Sequence, residues 1–252
     1  MNNTLLTPNG SDQHSVRWLE IFKPPSEKDW IQKSLLHMGY PELKVVHDDI
    51  LTQTYDLSVL VKAQIKPRFI FKSEPIKSSS KKGLESNSLR IKSCNWGTVA
   101  SRMTQPSEVC CFGLTLGNDI EETNKALGEK SLIKSFIWDS LCSILAEYYA
   151  DQAEACLALY YKQQKLKITR RFSPGYCDLP LVQTQTAIFQ FCDMEAIGVH
   201  LSASCLMAPR KSITGMVLAA EETAFRTPCS FCKSPCKYRR TGEERNRIVS
   251  GY

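Results

Sequence analysis

From Lys130 to Gln164 the chain reads as one helix, and no other segment constrains the fold as strongly. Apolar residues fall at 133, 137, 141, 144, 148, 155 and 159, which is helical spacing. A helix of this length is ~50 Å long at ~1.5 Å per residue, enough to be the spine of a domain. Gln152 interrupts the seam and predicts a kink or break there. A polar stripe of Ser140, Ser143, Glu147, Asp151 and Glu154 runs beside it.

Shorter elements surround this spine. Residues 18–22 and 67–71 read as strands, and 109–116 as a buried strand ending at Gly117. Ser26 is the N-cap of a helix that runs to about Met38 and stops at Gly39. A second helix spans roughly Asp49 to Gln64, with Leu51, Tyr55, Val59 and Leu60 on its apolar face. Residues 77–88 (KSSSKKGLESNS) read as a polar loop whose only large apolar residue is Leu84. A helix starts near Asp119, another covers Leu181–Phe191, and strands are expected at 166–170, 199–201 and 212–219. Helices and strands are mixed with few βαβ crossovers. The expected class is α+β: a mixed, mostly antiparallel twisted sheet with a long spine helix and flanking helices.

At 252 residues the chain fits one sizeable domain with appendages. The expected organisation is a disordered leader over 1–17, a domain over 18–225 and a basic, Cys-containing tail over 226–252. The net charge is +6. Residues 226–252 hold seven Arg or Lys and two Glu, so the body is nearly neutral. That balance argues against a nucleic-acid-binding body. No apolar run reaches the length of a membrane span, and the polar N-terminus lacks a signal-peptide core, so the expected location is the cytoplasm. Eleven cysteines, several inside apolar stretches, then read as reduced thiols rather than a disulfide framework.

Two segments carry the chemistry. Arg171-Phe172-Ser173-Pro174-Gly175-Tyr176 has the residue types of a small-molecule clamp. The arginine offers a planar fork for a carboxylate, Pro-Gly builds a tight turn, and tyrosine supplies an aromatic face for a ring or a cation. About thirty residues on comes Ser202-Ala203-Ser204-Cys205-Leu206-Met207-Ala208-Pro209. The four histidines, at 14, 37, 47 and 200, form no metal-like spacing. There is no G-x-G-x-x-G and no P-loop. In the tail, Cys229-x2-Cys232-x3-Cys236 has the softness and spacing to ligate zinc or an iron–sulfur cluster, and Cys177 is the candidate fourth ligand. The alternative is a reduced basic tail. The spacing is not the C-x3-C-x2-C of radical enzymes.

Over about residues 28–220 the chain resembles the S-adenosylmethionine-binding activation domain of cobalamin (vitamin B12)-dependent methionine synthase, especially its free-standing subunit form. The matching residues are His37-Met38-Gly39-Tyr40, Lys66-Pro67-Arg68, Leu114-Thr115-Leu116-Gly117, Asp139-Ser140 and Leu145-Ala146-Glu147-Tyr148. They continue through the Arg171–Tyr176 hexapeptide, Leu201–Pro209 and Ser212-Ile213-Thr214-Gly215. The resemblance implies a subunit that supports reductive remethylation of cob(II)alamin. The methyl comes from S-adenosylmethionine and the electron from a flavodoxin- or ferredoxin-like donor.

Arg171 would pair with the ligand carboxylate, Ser173, Pro174 and Gly175 would face the adenine or ribose, and Tyr176 would pack near the adenine or sulfonium. Three family features are altered: Ser202-Ala203-Ser204 stands for T-E-S, Ser143 for an acid, and Val217 for an aromatic residue. Glu147 then becomes the expected ammonium partner. No D-x-H-x-x-G is present, so the cobalamin would come on a partner, a methionine synthase or another corrinoid protein. The rival readings are a corrinoid-protein activator driven by a tail cluster, and an adaptor that only docks.

Overall fold

The computed structural model describes residues 13–16, 23–42, 45–80, 82–94, 104–176 and 178–222. Five antiparallel strands form its central sheet: β1 (Gln13–Val16), β2 (Arg68–Pro75), β6 (Thr104–Thr115), β10 (Ser212–Glu222) and β7 (Lys167–Ile168), in the order β1-β2-β6-β10-β7. Alternation along the strands splits the interior in two. Phe69, Phe71, Cys110, Phe112, Leu114, Val217 and Ala219 face one core, while Ile70, Val109, Cys111, Met216 and Leu218 face the other.

The first core is roofed by helices α1 (Glu27–His37), α2 (Asp48–Gln64), α3 (Asp119–Lys130) and the spine helix α4 (Leu132–Gln163). Ser131 closes α3 and caps α4, its hydroxyl accepting from the Lys134 N–H, so the spine starts two residues later than the periodicity suggests. The buried stripe of α4 is Trp138, Leu141, Cys142, Leu145, Tyr149, Ala153, Leu157 and Tyr161, displaced from the expected seam. Ile133 and Leu159 lie outside, exposed. Small residues (Ala146, Ala150, Ala153) let the helix lie close to its neighbours, a preference that apolar periodicity alone does not show. Two indole N–H groups fasten the roof: Trp30 donates to the Leu141 carbonyl and Trp138 to the Ile120 carbonyl, each at 2.9 Å.

Three expectations need correcting. α4 runs unbroken past Gln152, whose amide instead bonds the backbone of Lys23 through both its oxygen and nitrogen, at 3.1 and 2.7 Å. α2 buries Thr54, Leu57, Ser58 and Val61, leaving Tyr55, Val59 and Leu60 exposed, because its two faces differ little in hydrophobicity. The supposed polar loop over 77–88 forms most of a small antiparallel sheet, β3 (Ser78–Ser80), β4 (Gly83–Glu85) and β5 (Arg90–Lys92). Leu84, Leu89 and Ile91 from this region enter the second core beside Ile188 and Phe191 of α5 (Leu181–Phe191) and Met194 and Ile197 of a short 3₁₀ turn. One buried leucine therefore anchors what composition alone marks as loop.

The leader expected over 1–17 contains strand β1, which pairs with β2 from Gln13↔Lys72 to Val16↔Phe69. The strand expected at 18–22 lies outside the described residues. A two-stranded hairpin, β8 (His200–Leu201) and β9 (Met207–Ala208), leads into β10. The α+β class and the antiparallel sheet stand as expected.

Candidate functional site

The free edge of β10 positions the site. After β7 the chain continues along that edge: the Thr169 N–H donates to the Leu218 carbonyl at 2.9 Å, and Phe172 and Met216 exchange both backbone bonds at 2.8 Å. Alternation then sends Phe172 into the second core and leaves Arg171 facing α4. Immediately afterwards the chain folds back in the turn Ser173–Tyr176. The Tyr176 N–H donates to the Ser173 carbonyl (3.2 Å) and the Gly175 N–H to the Leu179 carbonyl (3.0 Å). Gly175 has φ +83°, a left-handed value that favours glycine, so the residue is required by backbone geometry. Pro174 is buried, Ser173 half-buried, and Tyr176 is 60% exposed.

Arg171 is not presented to solvent. Its side chain is 6% exposed and lies among three carboxylates from α4. Nη1 donates to Asp151 Oδ1 at 2.5 Å and reaches Glu154 Oε2 at 3.5 Å, while Nη2 donates to Glu147 Oε2 at 2.8 Å. The Arg171 backbone N–H adds a bond to Glu154 at 3.1 Å, and Arg170 Nη1 holds the other oxygen of Glu154 at 2.6 Å. Burial works against the Arg171 cation, but Asp151, Glu154 and Glu147 outweigh it and move its pKa up. Exposure grades along the cluster: Glu154 is 6% exposed, Asp151 25% and Glu147 42%. The acids at 147, 151 and 154 recur every three to four residues, so α4 presents them on one face.

The stripe continues toward the start of α4. Lys211 Nζ bridges Asp139 Oδ1 (2.7 Å) and Ser143 Oγ (2.8 Å). Ser140 turns elsewhere, donating to the Ser34 carbonyl and meeting His37 Nδ1 at 3.0 Å. Asp139, Ser143, Glu147 and Asp151 thus form a polar row along α4, met by Lys211 at one end and by Arg171, just before the turn, at the other. The concavity at Asp139 and Lys211 is only ≈ 20 Å³, and a separate cleft of ≈ 90 Å³ lies away from it at Arg90, Lys92 and Thr184.

The expected site residues Arg171, Ser173, Pro174, Gly175, Tyr176 and Glu147 thus come together, but Arg171 and Glu147 meet each other. Asp139, Asp151, Glu154 and Lys211 were not assigned a site role from sequence. Asp151 and Glu154 had a signal in the polar stripe and Asp139 in the Asp139-Ser140 match; Lys211 had none. The Ser202–Pro209 segment forms the β8–β9 hairpin, where Ser202 Oγ accepts from the Leu206 N–H at 3.0 Å. Cys177, Cys229, Cys232 and Cys236 lie outside the described residues, and among the described residues no group of His, Cys, Asp and Glu is arranged to hold a metal. No described helix is long and apolar enough to cross a membrane.

Comparison with known proteins gives this geometry a context. A search of the curated proteins finds no match. The crystal structure of the MetH reactivation domain bound to AdoHcy superposes with a TM-score of 0.57, at 13% identity, over 86% of this chain and 80% of that one. The likeness is one of fold, and it extends to the α+β arrangement of antiparallel sheet and helices. The family described as "Vitamin B12 dependent methionine synthase, activation domain" matches residues 81–227, a span that holds β4, β5, the spine helix, the turn and β10. With more than half of its length matched, the chain belongs to the vitamin B12-dependent methionine synthase activation-domain family.

Proposed function

We propose that this chain binds S-adenosylmethionine along the acidic face of α4, beside the Ser173–Tyr176 turn. In this reading it acts in the cytoplasm as a free-standing activation subunit. It supports reductive remethylation of the cobalamin carried by a separate methionine synthase, with a flavodoxin- or ferredoxin-like protein supplying the electron. The observation that carries this reading is the row of carboxylates around Arg171, set directly beside the turn.

S-adenosylmethionine bears a sulfonium, an ammonium and one carboxylate, so it carries net positive charge at neutral pH. Glu147 and Asp151 are the partly exposed acids of this face and suit its cationic groups. Arg171, buried between them, holds their carboxylates in fixed positions, and preorganised charge of this kind acts without reorganising. Three of the five guanidinium N–H donors of Arg171 meet these acids, so a ligand carboxylate paired with it would lie beside three like charges. Tyr176 offers an exposed ring to the adenine or the sulfonium. Bound S-adenosylmethionine supplies the methyl group, and the contribution of these residues is to hold its methyl end toward a docked partner. No side chain is needed as a general base.

The test is reactivation. An inactive cob(II)alamin methionine synthase lacking its own activation domain is given a reductant and S-adenosylmethionine, with and without this chain. Recovery of turnover only with the chain supports the proposal. Equal recovery without it, or none with it, rejects the activation role.

A further inference from the structure

We propose that the cleft between β5 and the first turn of α5 is a second binding site, one that takes a phosphate group. It shares no residue with the carboxylate row around Arg171 and does not depend on the S-adenosylmethionine reading.

One wall follows from strand alternation. Arg90 and Lys92 lie two residues apart on β5, so both side chains leave on the same face, while Ile91 between them turns inward and is buried. Their cross-strand partners differ. Arg90 lies opposite Glu85, whose carboxylate accepts from its Nε at 2.8 Å. Lys92 lies opposite Gly83, which brings no side chain, and it has no ion-pair partner among the described residues. Asp178, just before α5, is taken up by the buried Ser93 hydroxyl at 2.7 Å.

The other wall is Pro180, Gln183 and Thr184 at the start of α5. Pro180 is the N-cap and supplies no side-chain cap, so the first N–H groups of an eleven-residue helix lack that acceptor. Thr184 points more directly to a ligand. It is 3% exposed, and its hydroxyl makes no hydrogen bond among the described residues, yet that oxygen is not sealed from solvent. The space it opens to is the cleft it lines. Buried hydroxyls are normally paired. This one is a free donor in a cleft that also holds an unpaired lysine.

Size selects the ligand. The cleft holds ≈ 90 Å³. That is far below the roughly 300–1,000 Å³ of pockets that enclose a drug-sized molecule. It admits a tetrahedral oxyanion, either the free ion or the end of a phosphate monoester whose remainder stays in solvent. The oxygens of a phosphate can accept from Lys92, from the Nη groups of Arg90, from the Thr184 hydroxyl and from the α5 backbone.

The test is titration of the intact, isotope-labelled chain with inorganic phosphate and with methyl phosphate at constant ionic strength, followed by amide chemical shifts. Saturable shifts at Lys92, Gln183 and Thr184 are expected at millimolar ligand. Lys92→Met should weaken binding roughly five- to tenfold and Thr184→Val about two- to fivefold. Lys28→Met, on the exposed side of α1, should stay within about twofold and controls for net charge. Without phosphate, Thr184→Val should melt no lower than wild type, because it removes a hydroxyl that has no partner. Methyl phosphate binding as well as the free ion assigns the site to the end group of a larger molecule; binding of inorganic phosphate alone assigns it to the free ion. No saturable shift with either probe, shifts confined to residues away from the cleft, equal affinities in Lys92→Met and Lys28→Met, or a lowered melting temperature in Thr184→Val would overturn the proposal.

Discussion

Replacing Arg171 with methionine tests whether the carboxylate cluster is held together as described. The substitution keeps much of the side-chain volume but removes the charge, leaving three acids facing one another. Glu154 suffers most, being 6% exposed, although Arg170 still holds one of its oxygens at 2.6 Å. Asp151, at 25% exposure, loses its 2.5 Å partner, while Glu147, at 42%, is well solvated and its share is discounted for screening. Removing one partner of a buried ion pair costs about 3–5 kcal/mol. With Glu154 half-compensated and Glu147 exposed, the lower end applies, about 3 kcal/mol, or a fall in Tm of roughly 6–12 °C for a chain of this size. Urea unfolding followed by far-UV circular dichroism measures the loss. Adding Asp151→Asn and Glu154→Gln to Arg171→Met should recover more than half of it, since the uncompensated charges are then gone. A loss under ~1 kcal/mol, or no recovery in the triple variant, refutes the reasoning that a buried cation organises these acids.

Other expectations follow from the same packing. Glu74 is 8% exposed; burial pushes its pKa up, but the Ser88 and Ser86 hydroxyls and the Ser88 N–H outweigh that and hold it below 4.5. Its stabilisation is therefore present above the unfolded carboxyl pKa of about 4.3 and lost as pH falls through the lower folded value. Glu74→Gln should accordingly be less stable than wild type at pH 7 and lose less on acidification, as read by urea titrations at both ends of that range. A Cβ on Gly215 would fall 2.6 Å from the buried Phe112 ring, whereas one on Gly113 would meet the Met194 side chain. Gly215→Ala should thus cost about 1–3 kcal/mol and Gly113→Ala less, because the thioether can move; equal melting temperatures would count against this. Burial pushes the Cys142 and Cys192 thiols up to about 12 and Cys156 to about 11, and raises Cys110 and Cys111 well above 9. Among the described cysteines, the exposed Cys94 should therefore alkylate first in the native protein, with the buried Cys110, Cys111, Cys142 and Cys192 reacting only on unfolding, as peptide mass mapping would show.

The parts of the fold that repeat with a period were legible in the sequence. The spine helix and the capped α1 could be placed to within two residues, and the strands β6 and β10 were located, although β6 begins five residues before the expected Val109. What failed were decisions between two similar faces. On α2, Leu57 and Val61 are buried and Tyr55 and Val59 exposed, a choice settled by contact with the sheet and α4 rather than by composition. The β3–β5 sheet was hidden because its strands are three residues long and only Leu84, Leu89 and Ile91 face inward.

At the site, the hexapeptide located the right turn, but the identity of Arg171's partners depends on contacts twenty or so residues away across a helix face. Lys211 is still less accessible to sequence reasoning, since its bonds to Asp139 and Ser143 span about seventy residues.

The most direct test of the central claim is calorimetric titration of the intact chain with S-adenosylmethionine, alongside Glu147→Gln. The account predicts saturable one-to-one binding at or below millimolar ligand, weakened several-fold when Glu147 loses its charge. No saturable heat at millimolar ligand, or binding that Glu147→Gln leaves unchanged, would contradict it.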